Sequence, residues 1–195
     1  MKYNPDKHHR QSIRLKGYDY ASAGAYFITI CAYQRECLFG DIVDEIVNLN
    51  QIGLGIQNHW QDLPNRFPYM DLDAFVVMPN HLHGILWLCG DTARRDEASA
   101  SERGTGGRDL GTNASSLHPR GTQPKSIGAI IQNFKSISTR KINRMMGNVG
   151  RTIWQLNYYE HIIRNTESLQ NIRQYIRNNP SSWQQDQLHP GNSSK

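Results

Sequence analysis

The chain has 195 residues, with 22 Lys and Arg against 17 Asp and Glu for a net charge of +5, enough for one domain with a core and too little for two comfortable ones. Its three cysteines, Cys31, Cys37 and Cys89, form no Cys-x-x-Cys pair, which excludes a disulfide framework and a cysteine zinc knuckle. No apolar run reaches membrane-spanning length, so a cytoplasmic protein with no membrane partner is expected, and the positive balance favours an anionic partner.

After a polar, basic arm through Arg10, residues 26–32 are β-branched and aromatic and read as a first strand, with 38–43 as the return arm of a loose hairpin. From 44 to 60, Ile46, Leu49, Ile52, Ile56 and Trp60 recur at helical intervals and predict an amphipathic helix. Pro64 and Pro68 punctuate a loop; 71–78 and 81–88 are two apolar strands separated by Pro79-Asn80. Between 91 and 124 the composition turns to Gly, Ser, Thr and mixed charge with almost no large apolar residue, as in a flexible insertion that cannot bury enough surface to offset its ordering entropy.

Ser126 then caps a predicted helix with Ile127, Ile130, Ile131, Phe134 and Ile137 on one face and Lys135, Arg140 and Lys141 on the exposed side and end. Gly147 and Gly150 break the chain before a short strand at 153–156. A helix carrying Tyr158, Tyr159, His161, Ile162 and Ile163 is expected next, and a last helix over 167–178 ends before Pro180. A polar tail begins at about 184. This order lacks the long crossovers that parallel strands need. It predicts a single α+β domain over 1–195, an antiparallel sheet with helices packed mainly on one face.

The chemistry concentrates in His81-Leu82-His83. On a strand the period of two sends both imidazoles to one face and Leu82 to the other, where two neutral rings converge as metal ligands do. The bland alternative is a pair of buried histidines that only hydrogen-bond their neighbours. Positive charge gathers downstream: Lys125, Lys135, Arg140, Lys141, Arg144, Arg151 and Arg164 are opposed only by Glu160, as a phosphate-binding face requires. Arg173 and Arg177 stand four apart on the last predicted helix and could grip one phosphate tract.

Three segments, Tyr26-Phe27-Ile28-Thr29, Val77-Met78-Pro79-Asn80-His81-Leu82-His83-Gly84 and Trp154-Gln155-Leu156-Asn157-Tyr158-Tyr159-Glu160-His161-Ile162-Ile163-Arg164, occur in this order and continue into Tyr175-Ile176-Arg177-Asn178-Asn179-Pro180 and Trp183. In these the chain resembles the REP-associated tyrosine transposases, single-tyrosine members of the HUH nuclease superfamily. The resemblance implies a ferredoxin-like sheet with the histidine pair on a central strand. It also implies a divalent ion, Mg²⁺ or Mn²⁺, held by His81 and His83, and a tyrosine nucleophile that takes the 5′-phosphate of a cut single strand and releases a 3′-hydroxyl. Tyr158 is the expected nucleophile, with Tyr159 its alternative. His161, three residues after Tyr158, is the expected third ligand, with Gln155 and Glu160 as substitutes. Lys135, Arg140, Lys141, Arg144, Arg173 and Arg177 are the expected DNA contacts. The implied substrate is hairpin DNA from palindromic repeats, handled by a monomer or a homodimer; the competing expectation is a hairpin-binding protein without catalysis.

Overall fold

The computed structural model describes residues 17–89 and 122–192; the basic arm through Arg10 and all but the last three residues of the expected 91–124 insertion lie outside them. The described residues form β1 (Gly24–Cys31), β2 (Gly40–Val43), β3 (Ile46–Leu49), α1 (Gln51–Gln61), α2 (Leu63–Arg66), β4 (Met70–Met78), β5 (His81–Leu88), α3 (Ile127–Met145), β6 (Tyr159–Ile163) and α4 (Thr166–Asn178). Four strands make one antiparallel sheet in the order β4-β5-β1-β6, and β2-β3 form a separate hairpin. With α1 and α2 between β1 and β4, and α3 between β5 and β6, this is the split βαβ arrangement of a ferredoxin-like fold.

The strands alternate as their period requires. Tyr26, Ile28, Ile30, Leu82 and Leu86 face one core, where α1, α2 and α3 bring Ile56, Trp60, Leu63, Ile130, Ile131 and Phe134. Ala25, Phe27 and Ile85 face the other side, where Leu169 and Ile176 of α4 cover them. Among the described residues three helices therefore share one face, and α4 lies on the second. The histidine pair, in phase with Ile85, lies on the α4 face.

Two predicted helices are corrected. The periodic run at 44–60 is a hairpin followed by a helix: Asp44 and Glu45 form its turn with φ of 51° and 62°, and Asn50 caps α1 by accepting from the Ile52 and Gly53 amides at 2.9 and 3.0 Å. The segment with Tyr159 and His161 is strand β6 at the edge of the main sheet, pairing Phe27 with His161 and Thr29 with Tyr159. The expected strand at 153–156 contracts to a single bridge between Ala32 and Trp154.

Candidate active site

β5 is central in the sheet, so His81 and His83 are held on both sides by strand pairing and are almost wholly buried. Their ring centroids stand 4.4 Å apart. Each ring has its Nδ1 occupied. Asn80 donates its amide nitrogen to the carbonyls of Arg35 (3.1 Å) and Leu188 (2.8 Å), which fixes its Oδ1 as an acceptor for His81 Nδ1–H at 2.8 Å. Thr29 Oγ1, from β1, meets His83 Nδ1 at 2.8 Å. Both Nε2 atoms are thereby aimed together, as outer partners of metal-bound histidines aim them.

Opposite them come residues from α4 and the segment after it. Asp186 brings a carboxylate such that one ligand atom each from His81, His83 and Asp186 lie within 4.8 Å of one another. Asn179, buried at the end of α4, donates its amide nitrogen to Asp186 Oδ2 at 3.0 Å and turns its Oδ1 to His81 Nε2 at 3.3 Å. Because His81 carries its proton on Nδ1, that last contact sets a lone pair against a lone pair, which a cation between them would resolve. Two neutral imidazoles and a carboxylate gathered this closely are the donor set of a divalent metal site, so the residues present fit such an ion in their chemistry.

The electrostatics agree with ligand roles. Burial drives His81 down to about 4 against the opposing pull of Asp186 and Asn179, and drives His83 well below its ordinary 6.5, helped by His81. Both rings are therefore neutral at neutral pH, the form that binds metal. Tyr175 on α4 puts its phenol oxygen 3.2 Å from His83 Nε2. Burial, and then the Asp186 carboxylate, raise that phenol above its ordinary 10.0.

Tyr175, His83, Asn179 and Asp186 open into a cavity of about 650 Å³ that Tyr158 and Tyr159 also line. The expected residues divide in this frame. Tyr159 meets Phe27 at 6.4 Å and is half exposed, while Tyr158 packs toward the opposite core. His161 is exposed on β6 and lines other depressions with Asn165 and Ser168; it is not in the His81–His83–Asp186 group, because a strand rather than a helix carries it along the sheet edge. Gln155 lines the cavity, whereas Glu160 is buried on the far face, near enough to Tyr26 to raise its phenol.

Among the expected DNA contacts, Lys135 spends its ammonium on the carbonyls of Gln155, Leu156 and Asn157, and Arg173 forks onto Asp73 with bonds of 2.9 and 2.6 Å. Arg140, Lys141, Arg144 and Arg177 are exposed. Sequence reasoning passed over Tyr175, Asn179 and Asp186 as site residues. The first two were detectable as Tyr-x-x-x-Asn, a spacing that stacks both on one helical face; nothing in the polar run around Asp186 distinguishes it.

Fold and site together define a ferredoxin-like α+β protein in which a His-x-His pair and an aspartate could hold a cation, with a tyrosine beside them. The chain belongs to the IS200-like transposase family: residues 120–179 match the family model described as transposase IS200 like. An uncharacterized protein of Haemophilus influenzae is 43% identical over 191 residues, covering 96% of this chain and 97% of its own length. A REP-associated tyrosine transposase solved bound to a REP hairpin shares the fold, with a TM-score of 0.53 at 17% identity over 88% of this chain and 74% of its own. Among the described residues no helix is long and apolar enough to cross a membrane.

Proposed function

We propose that the protein is a divalent-metal-dependent single-stranded DNA endonuclease and strand transferase acting on hairpin DNA, with Tyr175 as its nucleophile in place of Tyr158 or Tyr159. The observation that carries this is the Tyr175 phenol 3.2 Å from His83, on the face where both histidines, Asn179 and Asp186 converge. His81, His83 and Asp186 would hold the ion, with Asn179 Oδ1 beside them. When bound, Mg²⁺ or Mn²⁺ supplies charge neutralisation at a phosphodiester oxygen.

The Tyr175 oxygen forms a bond to phosphorus as the bond to the 3′-oxygen breaks, leaving a 5′-phosphotyrosine. The exchange is proton-neutral, since the phenol gives up one proton and the released 3′-oxygen gains one. The phenol proton leaves as the bond to phosphorus forms. The ester retains the energy of the broken linkage, so a later 3′-hydroxyl can reseal the strand. Backbone contacts fall to the exposed Arg140, Lys141, Arg144 and Arg177. The REP hairpin bound to the structurally similar transposase supports hairpin DNA as the substrate class.

The test is a covalent-adduct assay on denaturing gels, using end-labelled hairpin DNA from repeats adjoining the gene and Mn²⁺ or Mg²⁺. A metal-dependent adduct is expected from wild type, Tyr158→Phe and Tyr159→Phe, and none from Tyr175→Phe or His81→Ala. An adduct that survives Tyr175→Phe and disappears with Tyr158→Phe or Tyr159→Phe overturns the nucleophile assignment; salt-sensitive hairpin binding with no adduct from any variant leaves a binding protein without catalysis.

A further inference from the structure

Tyr159 remains without a part in this chemistry, yet it is 49% exposed beside the site, and Leu156, three residues earlier, is 82% exposed. Tyr159 lines the reactive cavity, and an aromatic ring half in water there leaves a face on which a planar group can stack. The register gives Tyr159 an address: Thr29 pairs with His83 on one side and with Tyr159 on the other, so Tyr159 stands two strand spacings, roughly 10 Å, from His83. Phe27 continues the same surface, stacked on His83 at 5.3 Å and edge-on to Tyr159 at 6.4 Å and Tyr175 at 6.0 Å. An aromatic floor therefore runs from the nucleophile to the sheet edge.

The wall above this floor is unusually well held for a stretch without regular structure. Lys135 ties down three consecutive carbonyls, those of Gln155, Leu156 and Asn157, while Ser138 of the same helix accepts from Trp154 Nε1 at 2.9 Å and Asn143 donates to the Arg151 carbonyl at 2.9 Å. The Gln155 amide adds a bond to the Cys31 carbonyl at 3.0 Å. Both Gln155 and Asn157 line the cavity. Side-chain amides carry paired donors and acceptors, the groups that read the edge of an unpaired base, and an aromatic ring beside them offers its face for stacking.

We propose that the trough formed by Phe27, Tyr159, Gln155 and Asn157 is a nucleobase subsite, which takes an unpaired base of the cleaved strand next to the scissile phosphate and stacks it on Tyr159. The subsite rests on the endonuclease reading above for what lies next to it, and Lys135 is its positioning residue. Stacking on Tyr159 anchors one nucleotide, so the phosphate beside it comes to the Tyr175 phenol in a fixed register.

The test is an abasic scan of the same hairpin DNA, removing one base at a time from its single-stranded flank. Binding is followed by fluorescence anisotropy in the Tyr175→Phe background, so that it does not depend on cleavage. One flank position should weaken binding by roughly 5- to 100-fold when its base is removed. Adding Tyr159→Ala should weaken the intact hairpin by a similar factor and abolish the further loss at that position, and Tyr159→Phe should restore the positional loss. Equal sensitivity at every position, or a positional loss that persists unchanged in Tyr159→Ala, overturns the subsite. The wild-type adduct assay run in parallel judges the endonuclease reading separately: positional coupling without an adduct keeps the subsite and removes the catalysis, and an adduct without coupling does the reverse.

Discussion

Gly84 follows His83 on β5 and, one residue out of phase, faces the core beneath the sheet. A Cβ placed there would stand 2.5 Å from Trp60 Cζ2, 3.0 Å from Cε2 and 3.2 Å from the Phe75 Cβ. Carbon atoms rest about 3.5–4.0 Å apart, so Gly84→Ala requires the indole to retreat by roughly 1 Å. Trp60 is fully buried and meets Phe134 edge-on at 5.2 Å, which blocks that retreat. Overpacking of this kind costs about 1–3 kcal/mol, or roughly 2–12 °C in Tm for a chain of this size. Urea unfolding of the two proteins reads the loss directly. If the indole is what the methyl meets, Trp60→Leu removes the obstacle, and the double variant should be more stable than the sum of the two single changes implies, by ~1 kcal/mol or more. The other outlet for the strain is displacement of β5, which carries both histidines; a site tolerates only about 0.5 Å, so adduct formation should fall even at temperatures where Gly84→Ala remains folded. An unchanged urea midpoint, or strict additivity with Trp60→Leu, would refute this account of the packing.

Three further outcomes are expected. Thr29→Val leaves His83 Nδ1 without its hydroxyl partner and should lower Mn²⁺ affinity about 10- to 100-fold by calorimetry without DNA, unchanged affinity counting against an orienting role. Lys135→Met should cost about 1–2 kcal/mol in urea unfolding and speed amide exchange across 155–159, since three carbonyls lose a charged donor; equal exchange in both proteins would contradict the anchoring described. The Arg173 guanidinium holds the Asp73 carboxyl at about 2, below its ordinary 3.8. This stabilisation is complete above pH ~4 and is lost as pH falls toward 2, so Asp73→Asn should flatten the acid limb of the stability curve in that window, and a limb as steep as wild type would exclude the pair as its source.

The sheet was legible where its signal is local. Alternation through 81–88 put both histidines on one face before any partner strand was known, and Ser126 marked the start of α3 because its side chain accepts from the Ala129 amide. The misread elements have specific causes. A tight turn with two positive φ angles usually advertises itself with Asn-Gly, and here Asp44-Glu45 adopts it without a glycine, so the helical spacing of Ile46, Leu49 and Ile52 prevailed. Tyr159–Ile163 is a strand because β1 offers it an edge, a contact remote in sequence that outweighs the local period. That one misassignment also undid the reasoning that set His161 beside Tyr158, since residues three apart share a face on a helix and not on a strand. Lys135 and Arg173 were sorted by charge alone, and only their partners, three carbonyls and one carboxylate, reveal them as fasteners of the protein itself. Asp186 enters through burial of Trp183, which turns the expected tail back across His81 at 5.9 Å.

The groups that converge on Asn80, His81 and His83 come from both sides of them in the chain: Thr29 before, Tyr175, Asn179, Asp186 and the Leu188 carbonyl long after. Synthesis from the N-terminus therefore delivers the imidazole pair before the phenol and carboxylate that face it. A chain still emerging from the ribosome carries the histidines with neither phenol nor carboxylate opposite them. If Tyr175 is the cutting group, competence to nick waits until the chain has been made through Asp186, because the histidines alone lack both the phenol and the carboxylate.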